Sequence, residues 1–320
     1  MRIVQKFGGS SLADWPRLRR AAGLSLEAQR RGNQVLVVVS AAGDSTDEMI
    51  RLVREISPHP PARELDALLA TGEQRSAALM AITLAELGAP ARSFTGWQAG
   101  LLTEDRHGEA RLRSIEPQRL TEALDAGLIA VVAGFQGLTP TGDISTLGRG
   151  GSDTTAVALA AALGTGRCEI YTDVDGVYTA DPRLVPAARL IPAIDFRDML
   201  VLARAGSQVL HAESVRLAEA EGQPIRLLSS FTASPGSEVR TLAEAERPAL
   251  AGITRDAEAH TVTLAGRAAA GEAAALLEQV LLPAGIPAEL RLPAEGCACF
   301  AVKAGQELPV LRALHRAIWE

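Results

Sequence analysis

The chain has 320 residues, enough for one large α/β domain with a smaller one or for two medium domains, and a net charge of −6. That charge, with no block of like sign, argues against a nucleic-acid surface and leaves small-molecule chemistry as the expectation. Hydrophobic residues make up 47% of the chain and aromatic residues only 3%, so Ala, Leu, Val and Ile must build the core, as in helices packed on a buried parallel sheet.

Cys168, Cys297 and Cys299 have neither the number nor the spacing of a disulfide framework or a zinc site, and read as buried thiols in a reducing compartment. No apolar run approaches the ~20 residues of a membrane span, and Met1 leads directly into a strand-like segment, so the expected location is cytoplasmic, without a membrane partner. Of 32 basic residues only Lys6 and Lys303 are lysines. A lysine kept against such a bias marks a place where a compact ammonium is needed, for example on a phosphoryl oxygen.

Residues 2–7 read as a strand that feeds Gly8-Gly9-Ser10-Ser11, and Asp14-Trp15-Pro16 reads as the cap and first turn of a helix to about residue 31. Strand, glycine loop, helix is a phosphate-binding arrangement, although it matches neither the Walker nor the dinucleotide spacing. Residues 34–40 contain Val35-Leu36-Val37-Val38-Val39, a central parallel strand, and end in a hydroxyl-rich loop at 41–47 before a helix from Glu48. Ligands of open α/β sheets bind beyond such strand ends. Residues 63–70 and 73–87 read as two helices broken at Thr71-Gly72, with Glu73 stabilising the start of the second. His59 and His107 fall in loops and are expected to be solvated. Residues 128–135 form another buried strand, and 138–145 a hairpin.

Leu147-Gly148-Arg149-Gly150-Gly151-Ser152-Asp153-Thr154-Thr155 is the densest concentration of site-like chemistry in the chain. It runs into a helix over 154–163, so its polar groups sit at a helix N-terminus, where free N–H groups and the dipole favour an anion. Arg149 has the fork that grips a carboxylate or phosphate at two points. A glycine turn with Ser152 or Asp153 as a simple cap is the alternative. A strand at 168–172 ends in the Thr172-Asp173 pair, and the loop that follows, with Tyr178 and Arg183, could clasp an adenine and its phosphates, or could be ordinary solvated surface. Residues 189–205 and 209–221 read as helices and 224–228 as a strand. The expected domains are 1–232, a linker at 233–248 and a C-terminal module at 249–320 with the order βαββα. The fold class is α/β, a mainly parallel central sheet sandwiched by helices, followed by this small α+β module.

Lys6-Phe7-Gly8-Gly9-Ser10-Ser11, the 40–47 loop, Thr71-Gly72-Glu73, Thr95-Gly96-Trp97-Gln98-Ala99-Gly100, Gly134-Phe135-Gln136-Gly137, residues 146–155 and residues 171–183 appear in the order found in aspartate kinases of the amino-acid kinase superfamily. The resemblance covers about residues 1–232, and the C-terminal segment resembles a single ACT module. It implies transfer of the ATP γ-phosphoryl group to the side-chain carboxylate of L-aspartate, with Mg²⁺ bridging phosphates. By the same resemblance Lys6 and Asp153 are catalytic, Lys6 neutralising charge on the phosphoryl group and Asp153 orienting it. Thr46, Glu73, Phe135, Arg149 and Ser152 form the aspartate pocket, Arg149 on the α-carboxylate and Glu73 on the ammonium. Gly8, Gly9, Ser10, Thr172, Asp173, Tyr178, Arg183 and Gln208 hold the nucleotide together with Lys6, Gln208 standing where many members have lysine. Glu213 stands where an arginine is common. The family usually carries two ACT modules; one implies weak or absent inhibition by lysine and threonine. A homodimer is the expected assembly. Two alternatives stay open, a kinase acting on another acidic amino acid and a catalytically silent amino-acid sensor.

Overall fold

A computed structural model describes residues 1–292 and 294–320 with their side chains and residue 293 by its backbone. The chain forms two compact units, Met1–Val174 with Gln223–Ser234, and Asp175–Gly222 with Pro235–Glu320. This division differs from the expected 1–232, 233–248 and 249–320. The chain leaves the first unit at Val174 and comes back to it to add a strand.

The first unit contains β1 (Arg2–Phe7), α1 (Trp15–Arg30), β2 (Gln34–Val39), α2 (Ser45–Ile56), α3 (Ala62–Glu86), β3 (Ala91–Phe94), β4 (Leu101–Thr103), β5 (Leu112–Ile115), α4 (Gln118–Asp125), β6 (Ile129–Ala133), β7 (Gln136–Leu138), β8 (Ile144–Thr146), α5 (Gly151–Ala162) and β9 (Cys168–Thr172). The second unit takes β10 (Ala193–Asp195), α6 (Phe196–Arg204) and α7 (Ala212–Ala220), β11 (Ile225–Ser229) returns to the first, and β12 (Ser237–Arg240), β13 (Gly252–Asp256), β14 (Thr261–Ala265), α8 (Ala269–Leu276), β15 (Ala288–Ala294), β16 (Cys297–Val302) and α9 (Glu307–Trp319) complete the second.

Six strands of the first unit lie in the order β11-β9-β1-β2-β6-β3, all parallel. β2 and β6 are buried along nearly their whole length, which is why they read as unbroken apolar runs rather than alternating ones. Alternate residues face opposite ways. Val35, Val37, Val39, Ile129 and Val131 join Leu18, Ala21 and Ala22 of α1 and Met80 and Leu84 of α3 in one core, while α5 packs on β1 and β2. Residues 151–160 of α5 are all buried, so that helix is apolar all round except at its start. A smaller sheet, β5-β4-β7-β8, carries the hairpin that leads to α5.

α3 is one helix of 25 residues rather than two. Gly72 is tolerated inside it at a cost of about 1 kcal/mol, because a Cβ there would lie 2.9 Å from the Ala41 Cβ. The loop after β2 comes too close for a side chain. In the second unit β13-β14-β16-β15 form an antiparallel sheet covered by α8 and α9, with Ile253, Val262, Leu264, Phe300, Val310 and Leu314 in its core. Its order is ββαββα. The expected βαββα lacked β13, which pairs with β14 through a turn ending at His260, φ 54°. The expected linker holds β12, whose residues alternate buried and exposed. The helix expected over 189–205 starts only at Phe196; Pro192 cannot continue a helix, and Asp195 caps the real one by accepting from the Arg197 N–H at 3.1 Å.

Asp66, on α3, is buried and accepts from the N–H groups of Gly108 and Thr146, at 2.9 and 3.0 Å, and from the Thr146 hydroxyl at 2.7 Å. His107 is half-buried beside it, with Nδ1 at 3.2 Å, not solvated as expected. Asp66 thus clamps the small sheet to α3. Asp66→Ala should lower the unfolding free energy by about 3 kcal/mol, since it strands buried donors, as measured by urea denaturation.

Candidate active site

β1, β2 and β6 run in register, Phe7 beside Val39 and Val39 beside Ala133. Their carboxyl ends therefore open on one edge of the sheet, the place where open α/β sheets bind ligands. Lys6, one residue short of the end of β1, points to the face covered by α5. Its Nζ lies 2.6 Å from Asp153 Oδ1, and about a tenth of each side chain is exposed. Removed from water, such a pair is strongly coupled and fixes the ammonium in place. Nζ has no other ion-pair partner among the described residues.

Phe7 leads into Gly8, whose N–H donates to the Tyr171 carbonyl at 3.3 Å, and into a short 3-10 turn, Gly9–Leu12. The N–H groups of Gly9 and Ser10 donate to no protein acceptor among the described residues. A Cβ on Gly9 would stand 2.7 Å from the Ala41 carbonyl oxygen, and the Gly43 N–H donates to the Gly9 carbonyl at 2.9 Å. The loops after β1 and β2 are thus locked together by backbone. At the start of α5, Gly148 and Gly150 have φ of 73° and 72°, values a glycine adopts without strain. They turn the chain so that the Ser152 and Asp153 N–H groups, without protein acceptors among the described residues, face outward from the helix start. Arg149 is exposed and has no ion-pair partner among the described residues.

Glu73 lies on the buried face of α3, seven residues from Asp66. Its Oε1 accepts from the Ala41 N–H at 2.9 Å, but its buried Oε2 has no hydrogen-bond partner among the described residues. Burial, opposed in part by the Ala41 N–H, pushes this carboxyl up to about 7. Ser152 and Phe135 adjoin the same loops: a Cβ on Gly134 would sit 2.8 Å from Ser152 Oγ, and one on Gly151 would sit 2.8 Å from Phe135 Cδ2. Thr46 is half-buried in the first turn of α2.

The structure brings Lys6, Gly8, Gly9, Ser10, Glu73, Phe135, Ser152 and Asp153 together through these contacts, and places Thr46 and Arg149 on the adjoining helix starts. Thr172 and Asp173 also belong to the first unit, the Thr172 hydroxyl donating to Asp173 Oδ1 at 3.1 Å. Tyr178, Arg183 and Gln208 belong to the second. There Arg183 grips Asp181 at 2.8 and 3.0 Å, burial and Asp175 raise the Tyr178 hydroxyl above its ordinary pKa, and Gln208 is exposed, with Nε2 donating to the Gly206 carbonyl at 3.3 Å. Among the described residues no three His, Cys, Asp or Glu side chains converge to hold a metal ion, and no helix is long and apolar enough to cross a membrane.

The strand ends of this parallel α/β sheet present a buried ammonium between two sets of N–H groups without protein acceptors among the described residues, and residues 1–229 match the Amino acid kinase family. The chain belongs to that family. Relatives of the chain include aspartokinases: that of Corynebacterium efficiens is 51% identical over 268 residues, 82% of this chain and 64% of that protein, and that of Thermus thermophilus is 44% identical over 288 residues, 90% of this chain and 71% of that protein. The chain thus spans somewhat less than two thirds of the Corynebacterium protein. Among solved structures, the aspartate kinase from Synechocystis matches 99% of this chain and 55% of its own with TM-score 0.69 and 37% identity. Escherichia coli aspartokinase III in complex with aspartate and ADP shares the fold over the full length of both chains, with TM-score 0.85 and 23% identity.

Two features of the site escaped the sequence reading. The partner of Glu73 is a backbone N–H, which has no sequence signature. Asp66 did have one, because it shares the helical stripe Asp66, Leu69, Ala70, Glu73, where a carboxylate on an apolar face signals a buried network. Glu73 also yields a pH dependence. A carboxyl raised from about 4.3 in the unfolded chain contributes stability that is complete below that value and is lost as pH rises through about 7. Glu73→Gln should therefore match the parent protein in stability below about pH 4.5 and exceed it by about 3 kcal/mol above about pH 7.5. Urea denaturation across that range checks this; a constant difference would contradict it.

Proposed function

We propose that the protein is an ATP-dependent aspartate kinase, transferring the γ-phosphoryl group to the side-chain carboxylate of L-aspartate to give 4-phospho-L-aspartate. The observation that carries the proposal is the buried Lys6–Asp153 pair, 2.6 Å apart, flanked by the unpaired N–H groups of Gly9, Ser10, Ser152 and Asp153. Phosphoryl transfer asks mainly for position and charge neutralisation, and these groups supply both. The similarity to aspartokinases over 82% and 90% of the chain supports the choice of substrate.

In this reading the N–H groups of Gly9 and Ser10 hold phosphate oxygens, and Gly8 lies beside the ammonium, a Cβ there standing at ordinary contact distance, 3.6 Å, from Lys6 Nζ. Lys6 places its charge on the oxygen that becomes more negative as the phosphoryl group moves. Asp153 holds that ammonium in orientation. Arg149, which has no ion-pair partner among the described residues, takes the substrate α-carboxylate in its fork. Glu73 offers its unpartnered oxygen to the substrate ammonium, which also favours the ionised carboxylate. The Ser152 hydroxyl and N–H, Thr46 and Phe135 complete the pocket. ATP fits the free N–H groups at the two helix starts. The donor set also fits magnesium carried on the nucleotide phosphates rather than caged by the protein, and that ion would draw charge from them. Thr172 and Asp173 are proposed to hold the nucleotide, and Tyr178, Arg183 and Gln208 are assigned to it by resemblance. A homodimer is proposed with this function, twofold symmetry being the commonest assembly; the mass in solution checks it.

Incubating the protein with Mg-ATP, L-aspartate and hydroxylamine should give aspartyl hydroxamate, with no product from L-glutamate. Product from glutamate alone would shift the substrate, and silence with both acids would leave a sensor. Lys6→Ala should reduce turnover by about three orders of magnitude or more while leaving aspartate binding nearly intact. Arg149→Ala should instead raise the KM for aspartate by about a hundredfold, the scale of a lost charge-assisted bidentate contact.

A further inference from the structure

We propose that Thr155 is a positioning residue for the acid substrate: its hydroxyl ties the backbone of Phe135 to the first turn of α5 and so sets the shape of the pocket. Thr155 is fully buried and lies one turn beyond the polar residues at the helix start. Its Oγ1 accepts from the Phe135 N–H at 3.1 Å and donates to the Gly151 carbonyl at 2.8 Å. A hydroxyl is the small group that can do both at once, and the β-branch of threonine restricts its rotation.

What the hydroxyl holds is an unusual piece of backbone. Phe135 has φ 70°, and among the described residues only His260 is another non-glycine residue at positive φ. A bulky side chain adopts that conformation only where its surroundings impose it. Here both sides of Phe135 are tied, its N–H by Thr155 and its carbonyl by the Leu147 N–H at 2.8 Å. The kink lays the ring against Gly151, where a Cβ would be 2.8 Å from Phe135 Cδ2 and 3.2 Å from its Cα, and sets Gly134 against Ser152. Residues 134–135 and 151–152 therefore interlock, and the Thr155 hydroxyl is the side-chain hydrogen bond between them. Without it the half-buried Phe135 N–H loses its partner, and the kink relaxes toward ordinary backbone, displacing Phe135 and Ser152 together.

This inference rests on Phe135 and Ser152 lining the pocket for the acid, so the parent protein is assayed first. Hydroxamate formation is measured with L-aspartate varied at saturating Mg-ATP, and with ATP varied at saturating aspartate, for the parent, Thr155→Val and Thr155→Ser. Thr155→Val keeps the shape and loses the hydroxyl. It should raise the KM for aspartate about tenfold or more, with kcat and the KM for ATP within about threefold of the parent. Thr155→Ser, which keeps the hydroxyl, should stay within about threefold in all three. If the valine variant does not fold, as seen by circular dichroism, Thr155→Ala takes its place with the same expectation. An active parent whose valine variant shows an unchanged aspartate KM, or an equal rise in both KM values, would overturn the positioning role, as would a serine variant as impaired as the valine one. A parent without turnover on aspartate would instead overturn the substrate assignment on which the role depends.

Discussion

The contact between Lys6 and Asp153 is the constraint around which the first unit is arranged. Two charges held away from water need each other, and removing either leaves the other uncompensated at a cost of several kcal/mol. The pair forms only if β1 and α5 meet in one register, with the end of a central strand under the start of a buried helix. Register in turn depends on Val35, Val37 and Val39 of β2 finding α1 and α3 on one face while α5 covers the other. The core thus places the charges, and the charges bear on only one alignment of strand and helix.

Two carboxylates on α3 show how scaffold and site differ in the same terms. Asp66 is saturated, its oxygens accepting from two backbone N–H groups and the Thr146 hydroxyl. Glu73, two turns further on, is bonded through one oxygen only, to the Ala41 N–H. Buried polar groups are normally paired, and in the proposed function the substrate ammonium is the partner of this oxygen. Both sit on one face of the helix, seven residues apart, and only the neighbours they meet separate their roles.

Glycines do the fitting. At Gly9, Gly72, Gly134 and Gly151 a Cβ would come within 2.7 to 2.9 Å of another part of the site. The loop after β2 can then touch both the turn after β1 and α3, and the bend after β6 can touch the start of α5. Each of these glycines loses more conformational freedom on folding than another residue would, and lets two backbone segments come close together.

Much was legible in the sequence. The parallel strands announced themselves as apolar runs, since burial on both faces demands them, and the glycine-rich turns at 8–9 and 148–151 marked the loops, the second because Gly148 and Gly150 follow a left-handed path that few other residues take. Lys6 stood out against a chain that uses arginine almost everywhere else, and the order of the motifs pointed to a kinase of amino acids. Other features required the third dimension. Gly72 looked like a helix break because its reason, the Ala41 methyl, comes from a segment thirty residues away. His107 looked solvated because Asp66 is far off in sequence, β13 was missed because a short strand is stabilised by its partner rather than its own residues, and the compact units follow a chain that leaves and returns. Local pattern determines which segments can be strands, helices and turns, since it acts through neighbours in the chain. Which buried oxygen is satisfied, which N–H is left open, and what bends Phe135 onto the start of α5 are decided only when distant segments pack, because those partners do not exist until they do.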